Sequence, residues 1–600
     1  MKKLLSAISK KVNAINKKRM INSEKYKATN LILVLAFPFF LTMLAETVQM
    51  KSLNKFILFL FSKPSVVFFN IILISVVFSA LLLLFRKAYI ASALVGIAMT
   101  TFAVVELFKF NTSGNHLILS ELKMAVNLKS MTRFAYIKIT PELVVCVLLL
   151  FVYLFCVFWF NPVIKIKRIK RFMTSGICFA TLAVFIATPS IALPVYSFFD
   201  IDTTSTDNVF RLNEKFDNNN LIAFLAQTTT ESISKRIVEP EGYDVTAIQH
   251  ILGEYSANDA NSSYKKPNVI MIMSEAFTDF RVFDQIEVPD DVYISYDRIR
   301  SKGYSGNAVV PAFGSFTVKT EFELMVGLPV KSLNDPNMPQ RILLDRQQQT
   351  IPSYYKSLGY NTNYIHTFLR SFYGRDDIYS NYGYDNMFFD DNLTVPIEYY
   401  RSYISDTTIF NQMSKIITET DEPTFIYTTT MQNHQPYDPE DESQTQLDYY
   451  FDGVKDMTQN LEVFINSLEE LDEPTVVFFI GDHFPCFKGE GSVYNELEIN
   501  GDNCSNLYVQ PYFIWNNFGM DYREAPRNTV SAFYMPYVLL DLIDAPKSSL
   551  IDAMLSKMNT IPIYTTNYDN TIPNDDELDL FTYDIVLGEQ YLEGDIDAAS

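Results

Sequence analysis

Cysteine is scarce in this chain, five in 600 residues, and that excludes a disulfide scaffold. Cys146, Cys156 and Cys178 fall in apolar runs, where a thiol behaves as a small packing group. Cys486 and Cys504 fall in polar sequence and could pair only in an oxidising compartment. Basic charge is missing from the end of the chain: no Lys or Arg follows Lys557, while Asp575, Asp576, Glu577, Asp579 and Asp584 crowd the tail. The net charge is −20. Nucleic acid is thereby excluded as a partner, because holding a phosphate backbone needs a basic face. The acidity suits solubility, a divalent cation or an exposed position at the cell surface. Histidine is as rare as cysteine, at five residues, so the places it occupies are informative.

What the chain does have is length and long apolar runs. Six hundred residues exceed one ordinary domain, and the 48% hydrophobic content is concentrated in the first third. A spanning helix needs roughly 20 mostly apolar residues. Five segments meet this, at about 30–48, 66–85, 88–108, 142–160 and 173–195, and they predict a transmembrane domain over 1–195. No span carries at its centre the charge pair that marks an ion or proton path. Lys2, Lys3, Lys10, Lys11, Lys17, Lys18 and Arg19 hold the N-terminus inside. Arg86 with Lys87, and the cluster Lys165, Lys167, Arg168, Lys170 and Arg171, mark two further inside loops. Five spans then put everything after residue 195 outside, although Lys123 and Lys129 sit in an outer loop. That loop, about 118–137, reads as an amphipathic helix at the outer lipid interface or as a plain connector.

The remainder has another texture. Residues 196–265 read as linker helices, 266–545 as an extracellular α/β domain, and 546–600 as an acidic extension whose run from Tyr583 to Leu587 looks foldable. Short β-rich runs alternating with helical stretches predict a mostly parallel sheet flanked by helices. Three runs end in reactive residues: 268–273 at Ser274-Glu275, 424–429 ahead of Asn433-His434, and 475–480 at Gly481-Asp482-His483. In open α/β sheets ligands bind beyond the carboxyl ends of the strands, so these ends predict one site. A single acidic residue after a strand would signify no more than a helix cap. Histidine sharpens the case, since His366, His434 and His483 all fall in this part.

The motifs NVIMIMSEAF, GSFTVKTEFELMVGLP, HTFLRSFYGRDDIYSNYGYD, TTTMQNHQPY and FFIGDHFP occur in that order. As an ordered set after five spans, they resemble the lipoteichoic acid synthases and related phosphoglycerol transferases of the alkaline phosphatase and sulfatase superfamily. The resemblance covers nearly the whole chain. It implies a sulfatase-like ectodomain on a five-helix anchor in a bacterial cell membrane. It also implies a nucleophile at the head of T-x-x-T-E-F-E, Thr317, and one divalent metal held by Glu275, Thr317, Asp482 and His483. That metal would be Mn2+, with Mg2+ or Zn2+ as alternatives. On independent grounds, a threonine hydroxyl needs a metal or a base to become alkoxide-like. Hard carboxylates with an imidazole suit manganese or zinc.

The resemblance further implies that His366, Tyr373, Arg375 and His434 hold the phosphoglycerol group. Arg375 would offer a fork of donors and His434 would move a proton. The implied donor is phosphatidylglycerol. The implied acceptor is a glycolipid, a polyglycerolphosphate chain or a wall polysaccharide. Three features depart from the family's pattern: Pro311 to Phe316 is poorer in Gly, Lys319 stands where Asn or Asp is common, and Phe368 replaces an acidic residue. All three bear on acceptor choice. A sulfatase would need Cys or Ser in a C/S-x-P-x-R setting, which Phe316-Thr317-Val318-Lys319-Thr320 is not. Phosphoethanolamine transfer and phosphodiester hydrolysis use related chemistry. A non-catalytic lipid- or glycan-binding scaffold would be expected to have lost one of Glu275, Thr317, Asp482 and His483, and all four are present.

Overall fold

The computed structural model describes residues 2–119, 121, 139–206, 208–235, 237–255, 264–343, 347, 349–441, 443–487, 492–522 and 525–592. The expected amphipathic stretch at 118–137, with Lys123 and Lys129, lies almost wholly outside them.

The chain divides into two compact units. The first comprises Met1–Lys123, Ala135–Thr206 and Arg211–Arg236. Four of its helices are long and apolar enough to cross a membrane: Pro64–Phe85, Ala88–Ser113, Pro141–Phe160 and Arg168–Ala187. The pair Lys27–Leu35 and Phe37–Met50, bent by 41°, makes a fifth if taken as one span. Two expected spans are thus interrupted, each next to a proline. Pro38 sits in the first turn of Phe37–Met50, where its missing N–H is harmless. Thr188, at φ −120° and ψ 93°, leaves the helical region because Pro189 follows it. The segment 173–195 is therefore not one helix, and Pro189–Phe198 is a separate one.

Polar groups are buried in this unit as well. Asn70 donates to Glu46 at 3.1 Å, the Leu221 N–H reaches the same carboxylate at 3.3 Å, and Glu106 pairs with His116. Both glutamates lie toward the ends of their helices. Part of the stretch read as linker also packs here. Helix Val209–Ser234 kinks at Asn220 (φ 55°), and beyond the kink Leu221, Ile222 and Phe224 are buried among apolar helices.

The second unit is built on ten strands among the described residues. They are β1 Asn268–Ser274, β2 Tyr304–Val309, β3 Asn361–Ile365, β4 Asn386–Phe388, β5 Tyr399–Tyr400, β6 Tyr403–Ile404, β7 Thr424–Thr429, β8 Thr475–Gly481, β9 Val509–Asn516 and β10 Val530–Ser531. β5 and β6 pair by themselves, and the other eight form a sheet in the order β10-β2-β9-β8-β1-β7-β3-β4. Within it only β9 runs against the rest. The three runs prominent in the sequence are its centre, with β1 between β7 and β8. Met271, Tyr427 and Phe478 enter the core on one face, while Ile272, Ile426 and Phe479 enter the core on the other. A strand covered on both faces has to be apolar at every position, which is why these runs do not alternate with polar residues.

The acidic tail is part of this unit. Asp575 caps helix Asp576–Val586 by accepting from the Leu578 N–H at 2.9 Å, and acidic residues in the first turn suit the helix dipole. Leu578, Phe581 and Ile585 are buried in the core. Buried Asp584 accepts from Tyr243 Oη at 2.6 Å and from the Tyr591 and Leu592 N–H groups at 3.0 Å each. Cys486 and Cys504 are both buried, and the possible disulfide between them is not formed.

Candidate active site at the carboxyl edge of the sheet

Five strands that point the same way deliver the site. β1 exits into Glu275, β3 into His366, β7 into the loop with His434, and β8 into Asp482-His483. β2 leads through a short loop to Thr317, first residue of helix Thr317–Val326. That loop is sharply turned, with Gly314 at φ 63° and Phe316 at φ 65°. Phe316 lacks glycine's freedom, so the left-handed turn that presents Thr317 is strained. Ala276, at φ 53°, marks the same kind of turn after Glu275. Gly481 is needed for contact rather than for φ: a Cβ there would lie 1.9 Å from the Phe277 carbonyl oxygen.

These turns bring Glu275, Thr317, Asp482 and His483 together. Thr317 Oγ1 lies 3.3 Å from Glu275 Oε2 and 3.4 Å from His483 Nε2. One ligand atom each from Glu275, Asp482 and His483 falls within 4.8 Å of the others, and all three residues are buried. His483 Nδ1 lies 2.8 Å from the Phe484 carbonyl, which can only accept. Nδ1 therefore carries the proton, and in the neutral ring Nε2 presents a lone pair. Asp482 Oδ1 is used by the Ala276 and His483 N–H groups at 2.6 and 2.8 Å. Its Oδ2 makes no hydrogen bond among the described residues and faces His483 Nε2 at 3.2 Å.

Two lone pairs held face to face in a buried site repel unless a cation or a proton lies between them. Burial, and then the neighbouring Asp482, push the Glu275 carboxyl well above its ordinary value. Burial likewise raises Asp482. The donor set, two carboxylates, an imidazole lone pair and a hydroxyl, fits a divalent metal, as the resemblance implied. The proton on His483 Nδ1, fixed by a backbone carbonyl, orients the ring as a metal ligand requires.

Arg375 stands beside this group. Glu321 receives its Nε at 3.2 Å and its Nη2 at 3.0 Å. Burial opposes the charge on Arg375, but Glu321 more than offsets it and holds the guanidinium well above its ordinary value. Its charge acts on both Glu275 and His366. Tyr373 covers the guanidinium, with Cζ 5.3 Å from the ring centroid. His366 Nδ1 lies 2.9 Å from the Thr429 carbonyl, which leaves Nε2 as a buried lone pair without a partner among the described residues. Burial, followed by Arg375, lowers His366 well below its ordinary value, so it is neutral. His434, half-buried, has Nδ1 2.7 Å from the Gln435 carbonyl and 3.2 Å from Tyr403 Oη. All three site histidines thus point Nδ1 at a backbone carbonyl and keep Nε2 for other partners.

Sequence reasoning missed Glu321, Thr429, Tyr364 and Tyr379. Glu321 had a signal: it lies four residues after Thr317, one turn along the same helix face. Of the departing positions, Lys319 is tied to Asp335 at 2.6 Å. Phe368 joins Phe372, Tyr373 and Met431 in an apolar cluster.

The sulfatase family pattern matches residues 267–545. Those residues are a sulfatase-family domain. The sulfatase-family domain contains every site residue named above. Over 264 residues the chain is 25% identical to the lipoteichoic acid synthase of Staphylococcus saprophyticus, covering 39% of this chain and 38% of that one. The Streptococcus pyogenes phosphoglycerol transferase GacH, solved with sn-glycerol-1-phosphate, superposes with a TM-score of 0.50 at 20% identity. That match covers 60% of this chain and 98% of GacH. The integral membrane lipooligosaccharide phosphoethanolamine transferase A of Neisseria meningitidis superposes with a TM-score of 0.53 at 15% identity, over 87% of this chain and 98% of that one. Both superpositions establish the fold. The chain spans about half the length, or less, of the curated relatives it matches. It is a membrane protein carrying its sulfatase-family domain outside the apolar helices.

Proposed function

We propose that this protein is a phosphotransferase of the outer membrane face that moves glycerol phosphate from phosphatidylglycerol to a cell-envelope glycopolymer through Thr317. The observation that carries this reading is the position of Thr317 Oγ1 within 3.4 Å of both Glu275 and His483, beside an unsatisfied Asp482 oxygen. Glu275, Thr317, Asp482 and His483 would hold one divalent metal, Mn2+ by resemblance, which lowers the charge barrier to a threonine alkoxide. Thr317 Oγ1 gives up its proton and attacks the donor phosphorus, and the bond to the diacylglycerol oxygen breaks, that oxygen gaining a proton so that none is consumed overall. In the second step an acceptor hydroxyl attacks the phosphoglyceryl-threonine, loses its proton and frees Thr317. His434 is assigned that proton at Nε2, because Nδ1 is committed to a carbonyl. Arg375 faces the phosphate charge, and His366 Nε2, a pure acceptor, suits a glycerol hydroxyl.

The likeness to the lipoteichoic acid synthase and to the phosphoglycerol transferase GacH supports this reading, as does the set of nucleophile, carboxylates and imidazoles gathered at one strand edge. The test uses the full chain in liposomes with labelled phosphatidylglycerol and Mn2+. Wild type releases diacylglycerol and gains a glycerophosphate mass on Thr317; Thr317→Ala does neither, a loss of at least about 10⁴-fold. No diacylglycerol from phosphatidylglycerol with any divalent metal, but diacylglycerol released from labelled phosphatidylethanolamine in matched vesicles, would transfer the reading to phosphoethanolamine.

A further inference from the structure

Glu321 is fully buried and touches none of the metal-site atoms, yet it is the most heavily bonded carboxylate of the site. Tyr364 Oη at 2.9 Å and Thr429 Oγ1 at 2.5 Å donate to its Oε1. Tyr379 Oη at 2.7 Å and Arg375 Nη2 at 3.0 Å donate to its Oε2, with Arg375 Nε across the fork at 3.2 Å. A carboxylate has about four lone-pair positions, and here all are filled. Glu321 has no capacity left for a metal or a substrate.

The guanidinium it holds is different. Nε–H and one N–H of Nη2 are used by Glu321, Phe372 and Tyr373 flank the group at 5.9 and 5.3 Å, and Nη1 is buried with no hydrogen bond among the described residues. Thr429 links a second substrate group to the same anchor, since its hydroxyl donates to Glu321 while its carbonyl receives His366 Nδ1.

We infer that Glu321 is a positioning residue that locks Arg375 so that its free end, with unpaired Nη1, is presented to a phosphoryl oxygen, and that through Thr429 it sets His366 in the same frame. This rests on reading Arg375 as the phosphate clamp. Bidentate capture of one edge leaves the guanidinium a single orientation, so the unpaired donor is aimed before the ligand arrives.

The test is a double-mutant cycle on the full chain in detergent with Mn2+, using Glu321→Gln, Arg375→Gln and both together. The readouts are binding of sn-glycerol-1-phosphate and of inorganic phosphate, and kcat and KM for the donor, all per folded molecule. Glu321→Gln weakens both ligands about 10-fold and lowers kcat/KM about 10²-fold. In the Arg375→Gln background the same change costs less than about 2-fold in inorganic phosphate binding, because the clamp that Glu321 positions is gone. Equal losses in the two backgrounds, or no loss in the wild-type background, overturn the inference. If Glu321→Gln does not fold, Glu321→Asp keeps the charge and shortens the reach by one methylene. A folded Glu321→Asp with weakened phosphate binding supports the inference, and one with wild-type binding overturns it. Coupled losses in phosphate binding without any turnover of phosphatidylglycerol would leave Glu321 as the positioning residue and refute only the proposed donor.

Discussion

Two corners of one site bury carboxylates and treat them in opposite ways. At Glu321 every lone pair is taken by Arg375, Tyr364, Tyr379 and Thr429. At the other corner Glu275 accepts from Thr317, and Asp482 Oδ2 has no donor among the described residues and faces the lone pair of His483. Removal from water penalises a carboxylate in either place. A saturated carboxylate is framework, and rearranging it gains nothing; an unsaturated one is held ready for a ligand that is not part of the chain. The contrast separates the part of the site that holds Arg375 from the part that fits a cation.

The comparison can be broken most directly at Asp482. Asp482→Asn removes one ligand charge, and activity falls by about 10³-fold or more in the liposome assay. If that variant keeps wild-type turnover, the unsaturated corner is not a cation site. The next effect is on stability. A divalent metal at 100-fold to 1,000-fold its Kd raises the unfolding free energy of the wild type by about 3–4 kcal/mol, and a chelator reverses the change. Calorimetry should show no such shift for Asp482→Asn, and little loss of it for Tyr379→Phe. Tyr379→Phe removes one of the donors at the saturated corner, and costs about 1 kcal/mol in denaturant unfolding with only a few-fold loss of rate.

A buried carboxylate outside these two corners sharpens the rule by pH. Burial, with Asp456 adding to it, raises Asp406 from 3.8 to about 7. The folded chain then keeps a proton that the unfolded chain has lost, so this contribution to stability is full at low pH and declines as pH rises between those two values. Wild type should melt a few degrees lower at about pH 8 than at about pH 5, and Asp406→Asn should flatten the difference. The smallest effect is none at all: because Cys486 and Cys504 form no disulfide, reductant should leave the melting temperature unchanged.

Much of this was legible in the sequence. The apolar runs at 268–273, 424–429 and 475–480 are the centre of the sheet because only strands covered on both faces need to be apolar throughout. Their last residues reach the site because parallel strands share a carboxyl edge. The spans were legible as composition but not as geometry: Pro38 and Pro189 interrupt two of them, a steric effect that hydropathy does not see. The acidic tail read as an extension, yet Leu578, Phe581 and Ile585 bury it. Its apolar face was hidden by the charges around it.

The sequence by itself determined which segments prefer lipid, which runs become central strands, and which residues stand at their ends. These follow from side-chain chemistry within a few positions along the chain. Only the tertiary structure decided that Asp482 Oδ2 would lack a donor among the described residues, that the three histidines would share one tautomer, and that Glu321 would gather Arg375, Tyr364, Tyr379 and Thr429 from 43 to 108 residues away. Hydrogen-bond direction and desolvation are properties of pairs of groups brought together by folding, and no local pattern records them.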